Sequence, residues 1–234
     1  MIKKILFSPN ANSSTNNMKI FGTDYDGVII NIEPQKAKAF GTILNAHWGT
    51  DKQDAQEYWL ATGGSSRKSK FNYFYNKQFH KEISDDEYRK IESEYSQLLK
   101  SKFYPNLSLL PGALELLKFA RSNFDHTFVS SGVPMEEIRY LANINNTSEY
   151  FDMILGTNNE YPSKTEHFNK IISEWNPDKI IFVADGIKDM QFAKEANAIS
   201  IGIPTNRTAG ELKQAGATAT CNLQDAISAI KALM

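Results

Sequence analysis

Five short apolar runs without polar alternation set the terms on which this 234-residue chain can fold. They span residues 19–23, 126–130, 153–156, 179–184 and 199–203, and they are rich in Ile, Val and Phe. A strand with one wet face alternates apolar and polar residues, whereas a strand covered on both faces does not. These runs are of the second kind, so they predict a parallel sheet with helices on both sides. The segments between them, 114–123, 135–143, 165–175 and 189–196, have apolar residues at helical spacing. Strand and helix alternating in this order predict an α/β fold, a doubly wound parallel sheet. Residues 217–220 read as a last short strand and 222–233 as a closing helix.

Between Asn31 and Asn106 the rhythm breaks, and no buried strand is evident. Helical patterns cover 37–45, 51–62, 68–79 and 85–100, the last opening on Ser84 with Glu87 three residues on, the signature of a capped start. The expected organisation is therefore a core of residues 18–31 and 107–234, with an inserted helical domain at 32–106. The Asn/Ser-rich residues 1–17 read as a flexible leader, and their apolar run is too short for a secretory signal. A formal charge of −1 gives no general attraction to nucleic acid or to an anionic membrane. No run approaches the roughly 18 apolar residues of a membrane span. Cys221 is the single cysteine, which fits a reducing, cytoplasmic setting.

In doubly wound sheets ligands bind at the carboxyl ends of the strands. Four polar motifs fall there: Asp24-Tyr25-Asp26-Gly27, Ser130-Ser131-Gly132, Lys164, and Asp185 with Asp189. Taken singly, the first is equally a turn or a cap, the second ordinary loop composition, and Lys164 a solvated lysine. Together, in one order and each after a buried strand, they describe a site. Asp24, Asp26 and Asp185 are hard oxygen ligands of the kind that hold Mg²⁺ together with a substrate phosphate. Lys164 and the cation would offset the repulsion among them. The Ser130 hydroxyl and neighbouring backbone N–H groups are placed to hold phosphoryl oxygens. Asp24 could then attack phosphorus, while Asp26 protonates the leaving group and later activates water.

With FGTDYDGV, TFVSSG, SKTEHF and IIFVADGIKD in sequence, the chain resembles the haloacid dehalogenase superfamily, and PGALELLKFAR before the second strand resembles a helix found there. The resemblance implies Asp24 as nucleophile, forming an aspartyl-phosphate, and Asp26 as acid/base. Ser130 and Lys164 would hold the phosphoryl group, with Ser131 and Gly132 beside them. Asp24, Asp26 and Asp185 would hold Mg²⁺, and Asp189 would ligate it directly or through water. Two departures stand out: Ala184 where many members carry Gly or Glu, and no Pro after Lys164. The helical insertion occupies the place of the superfamily's cap. Its loop Thr62-Gly63-Gly64-Ser65-Ser66-Arg67 resembles the specificity loop of the β-phosphoglucomutase branch, implying Ser66 and Arg67 as substrate-binding residues. The other reading of that loop is a helix start capped by Ser65 or Ser66. The mutase branch carries a histidine twelve residues after its nucleophile, where this chain has Lys36. The expectation is thus a Mg²⁺-dependent phosphatase of a small phosphorylated metabolite, such as a sugar phosphate, working as a monomer or weak homodimer without nucleic-acid or membrane partners. A phosphomutase is the alternative. A dehalogenase would lack the aspartate at position 26, and a binding protein on the same fold would not need all four motifs.

Overall fold

Residues 17–63 and 65–234 are described by a computed structural model. Gly64 and the expected leader, apart from Asn17, lie outside the described residues. The apolar runs form β1 (Lys19–Thr23), β2 (His126–Pro134), β3 (Met153–Thr157), β4 (Lys179–Ala184) and β5 (Ile199–Gly202), and Ala219–Thr220 adds β6. They make one sheet in the order β3-β2-β1-β4-β5-β6, parallel at every pairing. β1 lies between β2 and β4, and its consecutive Ile20 and Phe21 are both fully buried, as two covered faces require. Gly22 follows because nothing larger fits: a Cβ there would lie 2.1 Å from Cζ of Phe128 on β2.

After β1 the chain enters a block of four α-helices: α1 (Glu33–Trp48), α2 (Lys52–Ala61), α3 (Arg67–Phe79) and α4 (Asp85–Leu98). Their starts follow from side chains that accept from free backbone N–H groups. Asp51 accepts from Gln53 and Asp54, Ser66 from Ser69, and Ser84 forms a full capping box with Glu87. The block is held by aromatic packing. Phe40 of α1 lies 5.0 Å from Trp59, 4.9 Å from Phe71 and 5.8 Å from Phe74 between ring centroids. Of the aromatic residues on α3, Phe71, Phe74 and Tyr75 are buried while Tyr73 and Phe79 are exposed.

The remaining helices are α5 (Ala113–Asn123), α6 (Met135–Ile144), α7 (Lys164–Trp175), α8 (Ile187–Glu195), α9 (Ala209–Gln214) and α10 (Ala226–Leu233). One face of the sheet buries Phe21, Val129, Ile181 and Val183 in a cluster that runs on into the helical block through Phe40, Trp59 and Tyr95. The other face buries Ile20, Phe128, Phe168 and Phe182. Two elements differ from expectation. β2 runs past Ser130 to Pro134, which rejoins β3 opposite Thr157 after an irregular stretch. α9 was not anticipated, although Thr208 and Glu211 form a capping box at its start. No described helix is long and apolar enough to cross a membrane.

Candidate active site

Asp24 continues the β1 ladder, its N–H donating to Val183 O at 2.8 Å, so its carboxylate emerges at the tip of the central strand. Oδ1 accepts from Tyr25 N at 2.7 Å, and Oδ2 lies 2.9 Å from the Lys164 ammonium. The same ammonium donates to Oδ1 of Asp189. Asp185, at the end of β4, accepts from Asn206 Nδ2 at 2.8 Å. Gly27 closes the turn with φ 77°, and a Cβ on it would sit 2.1 Å from Asp185 Oδ2; the glycine is needed for both conformation and room.

Asp24, Asp185 and Asp189 are all buried and offer oxygens within 4.8 Å of one another. Burial, and then the charges of Asp24 and Asp26, hold the Asp185 carboxyl well above the usual range. Burial lifts Asp189 to about 6, with Lys164 pulling the other way. Burial works against the charge on Lys164, but Asp189 and Asp24 outweigh it and hold its pKa above the ordinary value. Three carboxylates facing one ammonium leave the cluster short of positive charge. A small divalent cation preferring oxygen ligands fits that donor set and that deficit.

Asp26 stands outside this cluster, although its sequence position places it among the expected ligands. Its side chain turns to the first turn of α1, where Oδ1 accepts from Ile32 N at 3.0 Å and Oδ2 meets Lys36 Nζ at 2.5 Å. Lys36 also donates to Glu33 at 2.9 Å, and Glu33 accepts from Trp59 Nε1 at 2.9 Å. Burial raises Asp26 to about 7 against the pull of Lys36, and Glu33 adds to the rise. This carboxylate points to Lys36 and the start of α1, not into the cluster.

Ser130 is fully buried, with Oγ 2.8 Å from Nδ1 of His167. The other ring nitrogen, Nε2, faces Gly156 O at 3.0 Å and can only donate to it. Nδ1 is then the acceptor, and the Ser130 hydroxyl gives its proton to the ring. Ser131 is buried beside it and accepts from Val133 N at 3.4 Å, which leaves its own proton uncommitted among the described residues. Gly132 is exposed, with open space where a side chain would be. Arg67 and Ser66 do not join these residues. Ser66 caps α3, and Arg67 donates through Nη2 to both oxygens of Glu137, at 2.6 and 2.8 Å, and through Nη1 to Glu92 at 3.0 Å. Glu137 lies in α6 and accepts a further bond from Tyr104 at 2.6 Å. The proposed anion reader is thus already engaged with carboxylates. Asn206 carries a strand-end signal, following β5 as the other motifs follow their strands; His167 and Glu137 have no such local signal.

A crossover sheet with acidic residues at the tips of its central strands, a lysine between them and helices inserted after β1 defines a class of hydrolase. The family profile of haloacid dehalogenase-like hydrolases matches residues 18–197, and the chain belongs to that family. Solved structures share the fold at low identity. A haloacid dehalogenase-like family protein from Streptococcus pneumoniae has a TM-score of 0.75 at 17% identity, covering 92% of this chain and 99% of its own. For a predicted phosphoglycolate phosphatase from Haemophilus somnus the values are 0.77, 17%, 92% and 98%. For a provisionally assigned β-phosphoglucomutase from Thermotoga maritima they are 0.71, 18%, 93% and 100%. A search of curated proteins by sequence gives no significant match.

Proposed function

We propose that this hydrolase releases phosphate from a small phosphorylated metabolite by way of an aspartyl-phosphate on Asp24. The observation that carries the reading is the buried constellation of Asp24, Asp185 and Asp189 around the Lys164 ammonium. A carboxylate at a strand tip is a nucleophile only if the anionic substrate can approach it. Lys164 lowers that repulsion from one side, and Mg²⁺ held by Asp24, Asp185 and Asp189 would supply further charge neutralisation. Asp24 forms a bond to phosphorus as the P–O bond to the leaving group breaks, and Asp26 gives its proton to the departing oxygen. Asp26 then takes a proton from water as the water oxygen attacks phosphorus, and Asp24 leaves as carboxylate. A carboxyl raised to about 7 can serve in both directions near neutral pH. Because the Ser130 proton is given to His167, the phosphoryl oxygens would rely on Ser131, the backbone around Gly132 and Lys164.

The helices at residues 32–106 would act as the cap that keeps bulk water from the intermediate. The buried amide oxygens of Asn31 and Gln35 have no donor among the described residues. A hydroxylated leaving group, such as a sugar, would supply one. The test is phosphate release across a panel of phosphorylated metabolites, with Mg²⁺ and with excess chelator. Activity should appear only with the metal, and Asp24→Asn should lower it by about three orders of magnitude or more. Full activity in Asp24→Asn would overturn the reading.

A further inference from the structure

We propose that Lys36 is the positioning residue for Asp26: its ammonium holds the acid/base carboxylate on the leaving-group side of the site and out of the Asp24–Asp185–Asp189 cluster. The inference rests on the hydrolase reading above and deepens it.

Asp26 is only two residues from Asp24, and a fourth carboxylate in the cluster would be repelled by the other three. Both of its oxygens are instead taken by the opening of the helical block, Oδ1 by Ile32 N and Oδ2 by Lys36 Nζ. A buried ammonium is costly unless paired, and Lys36, 6% exposed, has two carboxylate partners. The second partner explains why its position is fixed. Glu33 is tied by its other oxygen to Trp59 Nε1 at 2.9 Å, and the Trp59 ring packs 5.0 Å from Phe40 and 5.7 Å from Tyr95. The ammonium is therefore located by the aromatic core of the helical block, and it locates Asp26 in turn. A leaving group lying between Asp24 and these helices would find the protonating oxygen already on its side. Seating of the helical block and readiness of the acid become one event.

A general acid matters in proportion to how badly the leaving group needs a proton, which gives the role a signature distinct from loss of structure. The probes are 4-nitrophenyl phosphate, whose nitrophenolate departs unprotonated, phenyl phosphate, and glycerol 2-phosphate, whose alkoxide does not. The readout is kcat/KM, which ends at departure of the leaving group. In Lys36→Met the loss on glycerol 2-phosphate should exceed the loss on 4-nitrophenyl phosphate by roughly tenfold or more, within the 10²–10⁴ that general acids supply, with phenyl phosphate between. Lys36→Arg should recover part of the difference, and Glu33→Gln, which loosens the ammonium without removing it, should show a smaller discrimination of the same sign. Should Lys36→Met fail to fold by thermal melting, Lys36→Gln carries the same comparison. Equal losses on all three esters would overturn the role of Lys36 alone. Phosphate release from none of them by the unaltered protein would overturn the hydrolase reading itself.

Discussion

His167 holds Ser130 only while its imidazole is neutral, since a protonated Nδ1 could not accept the serine proton. Burial, with Lys164 adding to it against the bond to Gly156, pushes its pKa down to about 4 from the usual 6.5. Above pH 6.5 the ring is neutral in both folded and unfolded chains, and its contribution to stability is fully present. As the pH falls below that value the unfolded chain takes up a proton that the folded one refuses. Stability then drops by about 1.4 kcal/mol per unit until the folded ring titrates near 4, a total of about 3 kcal/mol. Asp26 and Asp189, raised to about 7 and about 6, contribute the opposite slope in the same window, so the His167 contribution is read as a difference. The stability gap between the unaltered protein and His167→Gln, from urea midpoints, should shift by about 3 kcal/mol against the unaltered protein as the pH falls from 7 to 4. Lys70 is another buried group of this kind: burial lowers its pKa to about 8, and its ammonium lies 3.9 Å from the Trp59 ring centroid.

Among the elements, β1 has no room for added bulk at Gly22. Gly22→Ala drives a methyl into the Phe128 ring, which lies over Gly22 with Phe182, from the strand on the other side, 6.0 Å away. Overpacking of this kind should cost about 1–3 kcal/mol by chemical denaturation. A milder cost of about 1 kcal/mol is expected for Ser84→Ala, which removes one half of the α4 capping box. These elements were legible in the sequence because their causes are local: the unalternating Ile, Val and Phe of the strands, the helical spacing around them, and the Ser84–Glu87 pair. α9 carried an equally local sign in Thr208 and Glu211, but with six residues it offers too little periodicity to stand out. The site divides along the same line. That Asp24, Lys164, Asp185 and Asp189 come together follows from the rule that strand ends converge. The partners that commit Ser130, Asp26 and Arg67 do not, because each pairing depends on where folding brings a distant or sideways neighbour. Glu137 is 70 residues from Arg67, and no spacing rule joins them.

For the molecule as a whole, the Arg67–Glu137 pair is the polar bolt between the helical block and the sheet's own helices. Arg67 lies on α3 and Glu137 on α6, and Tyr104, in the segment leading from one part to the other, donates to the same carboxylate. Removing Glu137 leaves Arg67 with Glu92 alone for a carboxylate and takes away the acceptor of Tyr104, so Glu137→Ala should cost about 3 kcal/mol. It should also speed proteolysis in residues 99–108. Replacing Arg67 and Glu137 together by Met should cost less than the sum of the single changes, since neither buried charge of the pair then remains, while Glu92 loses Arg67 equally in the Arg67 single variant. A double variant as unstable as the sum would show that the bolt is not a pair at all.

The strand order has a consequence for synthesis. β1 pairs with β2 and β4, so Ile20 meets His126 and Lys19 meets Lys179. The aspartate that leads the site leaves the ribosome before either neighbouring strand exists. At the usual 5–20 residues per second, the wait for the second neighbour is on the order of ten to thirty seconds. The helices of residues 33–98 are all made within that interval, while Arg67 waits for Glu137 on α6 and the block's aromatic core for the sheet it continues into. The proposed nucleophile is made well before its surroundings, so a chain stalled short of β3 carries Asp24 without Lys164, Asp185 or Asp189.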